Sequence, residues 1–250
     1  SVAEQAGIAA SFVGHPLMDL IDTEKVKKGA DMLRNGFKIP KKKKVVGLFP
    51  GSRRGEVTRL MPRMLDAARE IMKREPNVIF PVGCSPWFNP DRYSEMIKDH
   101  DELPLRAVHG KSHEVMAMSD FALVCSGTAT VEAAIVGVPF LCTYRMTWAS
   151  ALLAELIVNY KYACMVNILA DRQVVPELLQ HQAEPLTMAL IALEAMQTGA
   201  TKMREELAEV IKTLGGKGAS QRAAEQILSV AGLRPVSRPI SNVVPALQTP

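Results

Sequence analysis

The 250 residues contain no unbroken apolar run approaching the ~20 residues that a membrane-crossing helix needs. The longest, Ala133 to Thr143, is interrupted by Gly137 and Pro139, and reads as a helix end followed by a strand. A C-x-x-C pair is also missing. Cys84, Cys125, Cys142 and Cys164 stand apart in or beside apolar runs, as reduced, mostly buried thiols of a cytoplasmic protein do. Concentrated charge of one sign is lacking too. The formal charge is +4, and apart from Lys41 to Lys44 the basic residues are scattered, which excludes a dedicated nucleic-acid binder. It leaves room for an anionic ligand or an anionic membrane surface. Gly110-Lys111-Ser112 copies the end of a phosphate-binding Walker motif, but Leu105 stands where the first glycine is required. Asp99-His100-Asp101 imitates an acidic metal-binding triplet in a polar stretch and reads as solvated surface, so no metal site is expected. No signal-peptide pattern is present, and a start at Ser1 reads as a piece of something longer.

What remains is an ordinary globular composition, 48% hydrophobic and 22% charged, in a length suited to one large or two small domains. The chain is organised around Phe121 to Tyr144, which reads as a strand, a small-residue turn, a helix and a second strand. Phe121 to Val124 is continuously apolar, as in a strand covered on both faces. Ser126-Gly127-Thr128 offers backbone with little side-chain bulk, and Ser126 or Thr128 can cap the helix that follows. A helix N-terminus there has free N–H groups and a positive dipole end, where a phosphate fits. Glu132, one turn further on, is placed to accept hydrogen bonds from a ribose. An ordinary strand–turn–helix of an α/β domain has the same appearance.

The same unit recurs along the chain. Ala10 to Gly14 reads as a short strand leaving through Gly14-His15-Pro16, where His15 is either a turn residue or a ligand-facing group. A helix over Thr23 to Asn35 follows, then a strand at Val45 to Phe49 and a turn at Pro50-Gly51-Ser52-Arg53-Arg54-Gly55-Glu56. Val57, Leu60, Met61, Met64, Ala68, Ile71 and Met72 recur at helical spacing beyond it. Arg53 and Arg54 suit a diphosphate, whose oxygens match a guanidinium's paired donors, and equally suit a solvated surface. Further strands are read at Asn77 to Gly83, Leu105 to Val108 and Tyr162 to Val166, and helices at Asp91 to Lys98, Glu114 to Ser119 and Trp148 to Tyr160. Pro176 opens another helix, and Pro185 to Gln197, Lys202 to Leu214 and Ser220 to Ala231 are three more. Residues 234–250 read as a disordered tail.

Strand–helix alternation repeated about six times predicts an α/β fold: a doubly wound, parallel, Rossmann-like sheet with C-terminal helices. Ligands of such sheets bind outside the strands' carboxyl ends. The loops at 14–19, 50–56, 109–113, 125–128 and 167–172 are all expected there.

Four motifs then carry a resemblance. Gly14-His15-Pro16-Leu17-x-Asp19, Pro50-Gly51-Ser52-Arg53-x-x-Glu56-Val57, Ser126-Gly127-Thr128-Ala129-Thr130-x-Glu132 and Pro176-Glu177-Leu178-Leu179-Gln180 occur in this order. Together they closely resemble the lipid-A-disaccharide synthase family of GT-B-type inverting glycosyltransferases, from about Ser11 to about Leu233. The resemblance covers the family's C-terminal, donor-binding half, so it implies one domain over 1–233 and an N-terminal acceptor domain outside this chain. It implies transfer of 2,3-diacylglucosamine from UDP-2,3-diacylglucosamine to 2,3-diacylglucosamine 1-phosphate, giving a β-1,6 disaccharide and UDP. No metal or other cofactor is implied. Gly51, Ser52 and Arg53 are expected beside the diphosphate, Ser126, Gly127 and Thr128 at the phosphates, and Glu132 on the ribose. The loop His109 to His113 is expected beside the uracil, Asn167 and Arg172 at the sugar side, and His15 at an interdomain hinge. The family's usual residues around the asparagine are replaced here by Met165-Val166 before Asn167 and Ala170-Asp171-Arg172 after it. The base for an inverting transfer belongs to the other half, His15 being a weak candidate here. Acyl-chain substrates place such an enzyme peripherally on the cytoplasmic face of the inner membrane, and the resemblance leaves room for a homodimer. Two other readings share the strand–Ser-Gly-Thr–helix–Glu unit. One is another GT-B UDP-sugar enzyme, such as the N-acetylglucosaminyltransferase of peptidoglycan synthesis; the other is a non-catalytic nucleotide-binding module.

Overall fold

The structure, a computed structural model, describes residues 6–7, 10–86, 88–147 and 161–233. The helix read over Trp148 to Tyr160 and the tail at 234–250 lie outside the described residues. The chain divides into two compact units, Leu20–Leu214 and Ser1–Asp19 with Gly215–Pro250.

In the larger unit, α2 (Thr23–Gly36) leads to β1 (Lys44–Phe49) and the 21-residue α3 (Arg54–Arg74). Then come β2 (Val78–Cys84), α4 (Pro90–Ile97), β3 (Leu105–His109), α5 (Ser112–Met118), β4 (Phe121–Cys125), α6 (Thr128–Val136) and β5 (Phe140–Tyr144). After the undescribed stretch follow α7 (Met165–Ala170), β6 (Glu177–Leu179), a 3-10 turn, α8 (Pro185–Thr198) and α9 (Thr201–Lys212). A short α1 (Leu17–Leu20) precedes them, and α10 (Ala219–Val230) ends the described chain.

The six strands pair in the order β3-β2-β1-β4-β5-β6, each neighbouring pair parallel. Period-two alternation sorts the strand side chains between the two faces. Val46, Leu48, Phe121 and Leu123 join the α3 and α8 residues Leu60, Met61, Met64, Met188 and Ala192 in one cluster. Val45, Phe49, Ala122 and Val124 join Val115, Met116, Ala133, Leu207 and Val210 in the other. Every residue of β2 and of β4 is buried, as continuous apolar runs require in a sheet covered on both faces. Each large side chain so covered contributes about 1.5–3 kcal/mol. Strand order reverses at β1 and β4, which opens a crevice between the turns that leave them.

Three expected elements differ. Ala10 to Gly14 pairs with no strand and is irregular. Of Tyr162 to Val166, the first three residues are irregular and Met165 and Val166 open α7, since a short apolar run fits a helix as well as a strand. The helix read at Pro176 is instead the edge strand β6, where a residue lacking N–H is tolerated; the Pro176 carbonyl accepts from Cys142 N. All four cysteines are free and buried. Among the described residues no helix is long and apolar enough to cross a membrane.

In the smaller unit, the Asp19 carboxylate accepts from Ser220 N and Oγ, both at 3.0 Å, and from Gly218 N, so it caps α10. These bonds hold its pKa below the ordinary carboxylate value.

Candidate functional site

A cavity of about 430 Å³ opens at the β1/β4 crevice. Its walls are the four turns that leave β1, β2, β3 and β4: Gly51 to Arg53, Ser85 and Pro86, Ser112, and Ser126 to Thr128. Phe49 lines it from below, its ring against Gly47 and Gly83, where a Cβ on either glycine would collide with it.

The turn after β1 is fixed by a carboxylate. Glu56, 8% exposed, accepts from Ser52 N at 3.1 Å and Arg53 N at 3.2 Å, while its other oxygen takes Arg53 Nη1 at 3.2 Å. Glu56 thus satisfies the N-cap amide of α3 and the amide before it from within the chain. Gly51, at φ +112°, is held in a conformation that favours glycine, and a Cβ there would lie 2.6 Å from Glu56 Oε2. Tyr93 joins this turn to the next: its hydroxyl donates to Gly51 O and accepts from Ser85 N, each at 3.2 Å. Burial pushes the Tyr93 phenol up to about 12, so it stays protonated and can keep donating.

The turn after β4 is different. Ser126 Oγ donates to Ala163 O at 2.8 Å, Thr130 Oγ1 donates to Gly127 O at 2.7 Å, and no side chain caps the nine-residue α6. The expected caps, Ser126 and Thr128, are therefore not used, and the α6 N-terminus is left open toward the cavity. Gly127, at φ +142° and ψ −159°, occupies backbone space essentially confined to glycine. One turn along α6, Glu132 Oε2 lies 3.0 Å from His113 Nε2. Oε1 of Glu132 has no hydrogen bond to a described residue. The bond from Glu132 raises the His113 pKa, with burial opposing and the charges of Glu132 and Glu114 adding. Cys125 also lines the cavity, but burial and then the Glu56 charge push its thiol up to about 12, which suppresses any nucleophilic role.

Of the residues singled out by sequence, Gly51, Ser52, Arg53, Ser126, Gly127, Thr128 and Glu132 come together on this cavity. His109, Asn167 and Arg172 do not line it. The His109 ring packs edge-on to Tyr93, with centroids 6.2 Å apart. Asn167 is fully buried: its Oδ1 accepts from Val174 N and Val175 N, and its Nδ2 donates to Val175 O and Glu177 Oε1. Glu177 in turn accepts from Ala163 N and Cys164 N, so Asn167 braces the segment on which Ser126 rests. Arg172 pairs with Glu206 at 2.9 Å. His15 lies in the smaller unit, where its Nδ1 accepts from Leu17 N. Sequence reasoning missed Tyr93 and the His113–Glu132 pair, which contacts across the fold create. The role of Glu56 was signalled locally, by an acid three positions after a helix cap.

A parallel sheet of reversing order, with an uncapped helix end and a carboxylate at its crevice, defines a Rossmann-like α/β domain. Solved structures share that architecture. A glycosyltransferase involved in lipopolysaccharide biosynthesis aligns with TM-score 0.54 and 15% identity, over 80% of this chain and 50% of that one. An Anabaena protein in complex with UDP and glucose gives TM-score 0.55 and 14% identity, over 84% and 55%. The family model described as lipid-A-disaccharide synthetase matches residues 3–230, and the chain belongs to that family. The lipid-A-disaccharide synthase of Anaeromyxobacter sp. (strain K) is 36% identical over 230 residues, covering 91% of this chain and 59% of that protein. That of Saccharophagus degradans is 36% identical over 242 residues, covering 95% and 62%. The chain therefore spans about three-fifths of the length of these curated relatives.

Proposed function

We propose that the crevice cavity holds the UDP moiety of a nucleotide-sugar donor, and that this chain is the donor-binding part of a lipid-A-disaccharide synthase. The observation that carries the reading is the open N-terminus of α6, on the same cavity as Arg53 and Glu132. Its free amides and positive dipole end receive the diphosphate. The Arg53 guanidinium, whose only described ion pair is with Glu56, adds a fork of donors from the facing turn. Glu132 Oε1 accepts from the ribose, and the wall of Ser85, Ser112 and Met116 flanks the base. The cavity volume falls within the ~300–1,000 Å³ of small-molecule sites.

The donor on this reading is UDP-2,3-diacylglucosamine and the acceptor is 2,3-diacylglucosamine 1-phosphate. The acceptor's 6-hydroxyl oxygen forms a bond to the donor's anomeric carbon as the bond from that carbon to the diphosphate oxygen breaks. The electron pair leaves with UDP, and the hydroxyl proton passes to a base outside this chain. Inversion gives the β-1,6 linkage. Charge developing on the diphosphate is met by the α6 amides and Arg53, without a metal ion. The acyl chains of both substrates place the reaction at a membrane surface. On this reading the present stretch binds UDP without transferring sugar.

Titration calorimetry tests the reading. UDP is expected to bind the parent and to bind Arg53→Ala about tenfold more weakly, as befits loss of a charge-assisted contact. Failure of UDP to bind the parent contradicts it.

A further inference from the structure

A second cavity, of about 920 Å³, lies on the other side of the β1 turn, between the first turns of α3 and α4. It shares Ser52 and Arg53 with the first cavity, and adds Arg54 and Arg92 as further guanidiniums. Its one lining carboxylate, Glu95, pairs with Arg92 at 3.1 Å, and Arg53 is paired with Glu56. The Arg54 guanidinium makes no hydrogen bond or ion pair with a described residue, while its backbone carbonyl accepts from Thr58 Oγ1.

The placement of these cations runs against the local electrostatics. Arg53 is the N-cap of α3, Arg54 opens that helix, and Arg92 lies in the first turn of α4. Helix starts favour anions, so a cation there is disfavoured. Glu56 and Asp91 in the same turns, together with Asn89 Oδ1, which accepts from Asp91 N at 2.8 Å, offset part of this. Three guanidiniums and two positive helix ends still converge on one hollow, and an anion relieves all of them at once. The hollow is not purely polar, because buried Phe88 and half-buried Met96 form apolar wall.

We propose that this cavity is a second ligand site, which takes a phosphate monoester carried on an apolar body. Under the function proposed above, on which this identification rests, that ligand is the acylated acceptor, held here by its 1-phosphate. The donor-binding part then grips both substrates, with Arg53 between the two anions. The charge of the hollow does not depend on the nucleotide reading.

The test uses octyl phosphate as probe and octyl glucoside as its uncharged counterpart, both below their micelle-forming concentrations. The proteins are the parent, Arg54→Ala, Arg92→Ala and the double variant. Octyl phosphate is expected to bind the parent equally well with and without saturating UDP, and more weakly as salt rises. Each single variant is expected to lose about three- to fivefold in affinity, as exposed ion pairs do, and the double variant about tenfold or more. UDP affinity stays within about twofold throughout, and unfolding midpoints confirm that the variants fold. The proposal is overturned if octyl phosphate fails to bind, competes with UDP, binds the double variant like the parent, or binds no better than octyl glucoside. Arginine-dependent binding of octyl phosphate to a protein that ignores UDP keeps this site and removes the nucleotide reading.

Discussion

The Nε2 of His113, in the first turn of α5, lies 3.0 Å from Oε2 of Glu132 on α6. The pair fixes one carboxylate oxygen and leaves the other to the cavity. Because the bond raises the His113 pKa from 6.5, its contribution to stability is complete below pH 6.5. It is lost as pH rises through the raised, folded-state value. The unfolding midpoint is expected to fall as pH rises above about 6.5, with this component missing in His113→Gln. Equal pH slopes in the two proteins contradict the linkage.

Glu56 serves two amides and one guanidinium from a buried position. Glu56→Ala leaves those donors without their acceptor and is expected to cost about 1–3 kcal/mol in denaturant unfolding. UDP affinity is expected to fall with it, because the 51–53 turn and Arg53 lose their anchor. Glu56→Gln, which keeps an acceptor oxygen, should lie between. A Glu56→Ala protein as stable as the parent rules the anchor out.

Gly127 and Gly51 separate backbone strain from steric clash. No atom lies within 4 Å of a Cβ built on Gly127, so Gly127→Ala tests its φ of +142° alone. The expected cost is about 1–3 kcal/mol. Gly51→Ala should cost at least as much, since its Cβ also meets Glu56. Gly36→Ala, with open space and no positive φ, is the neutral control. Thermal unfolding of the three variants gives the order.

The sheet was legible because buried parallel strands leave a local trace. Val45 to Phe49, Phe121 to Cys125 and Phe140 to Cys142 are apolar runs, and each lies in a strand. The three residues of β6 carry no such trace; they are a strand because β5 pairs with them. The glycine turns of the site were legible for a related reason, since their chemistry belongs to the backbone. Tyr93 reaches Gly51 across 42 residues and His113 reaches Glu132 across 19, distances that no spacing rule bridges. Asn167 has the opposite history. Its motif position pointed to a ligand, whereas its amide is wholly engaged with Val174, Val175 and Glu177.

The most direct measurement compares UDP with inorganic pyrophosphate on the parent and on Glu132→Ala. If α6 receives the diphosphate and Glu132 the ribose, the variant should weaken UDP about tenfold and leave pyrophosphate within about twofold. Equal losses for both ligands, or no loss for either, contradict the assignment of the cavity to a uridine diphosphate.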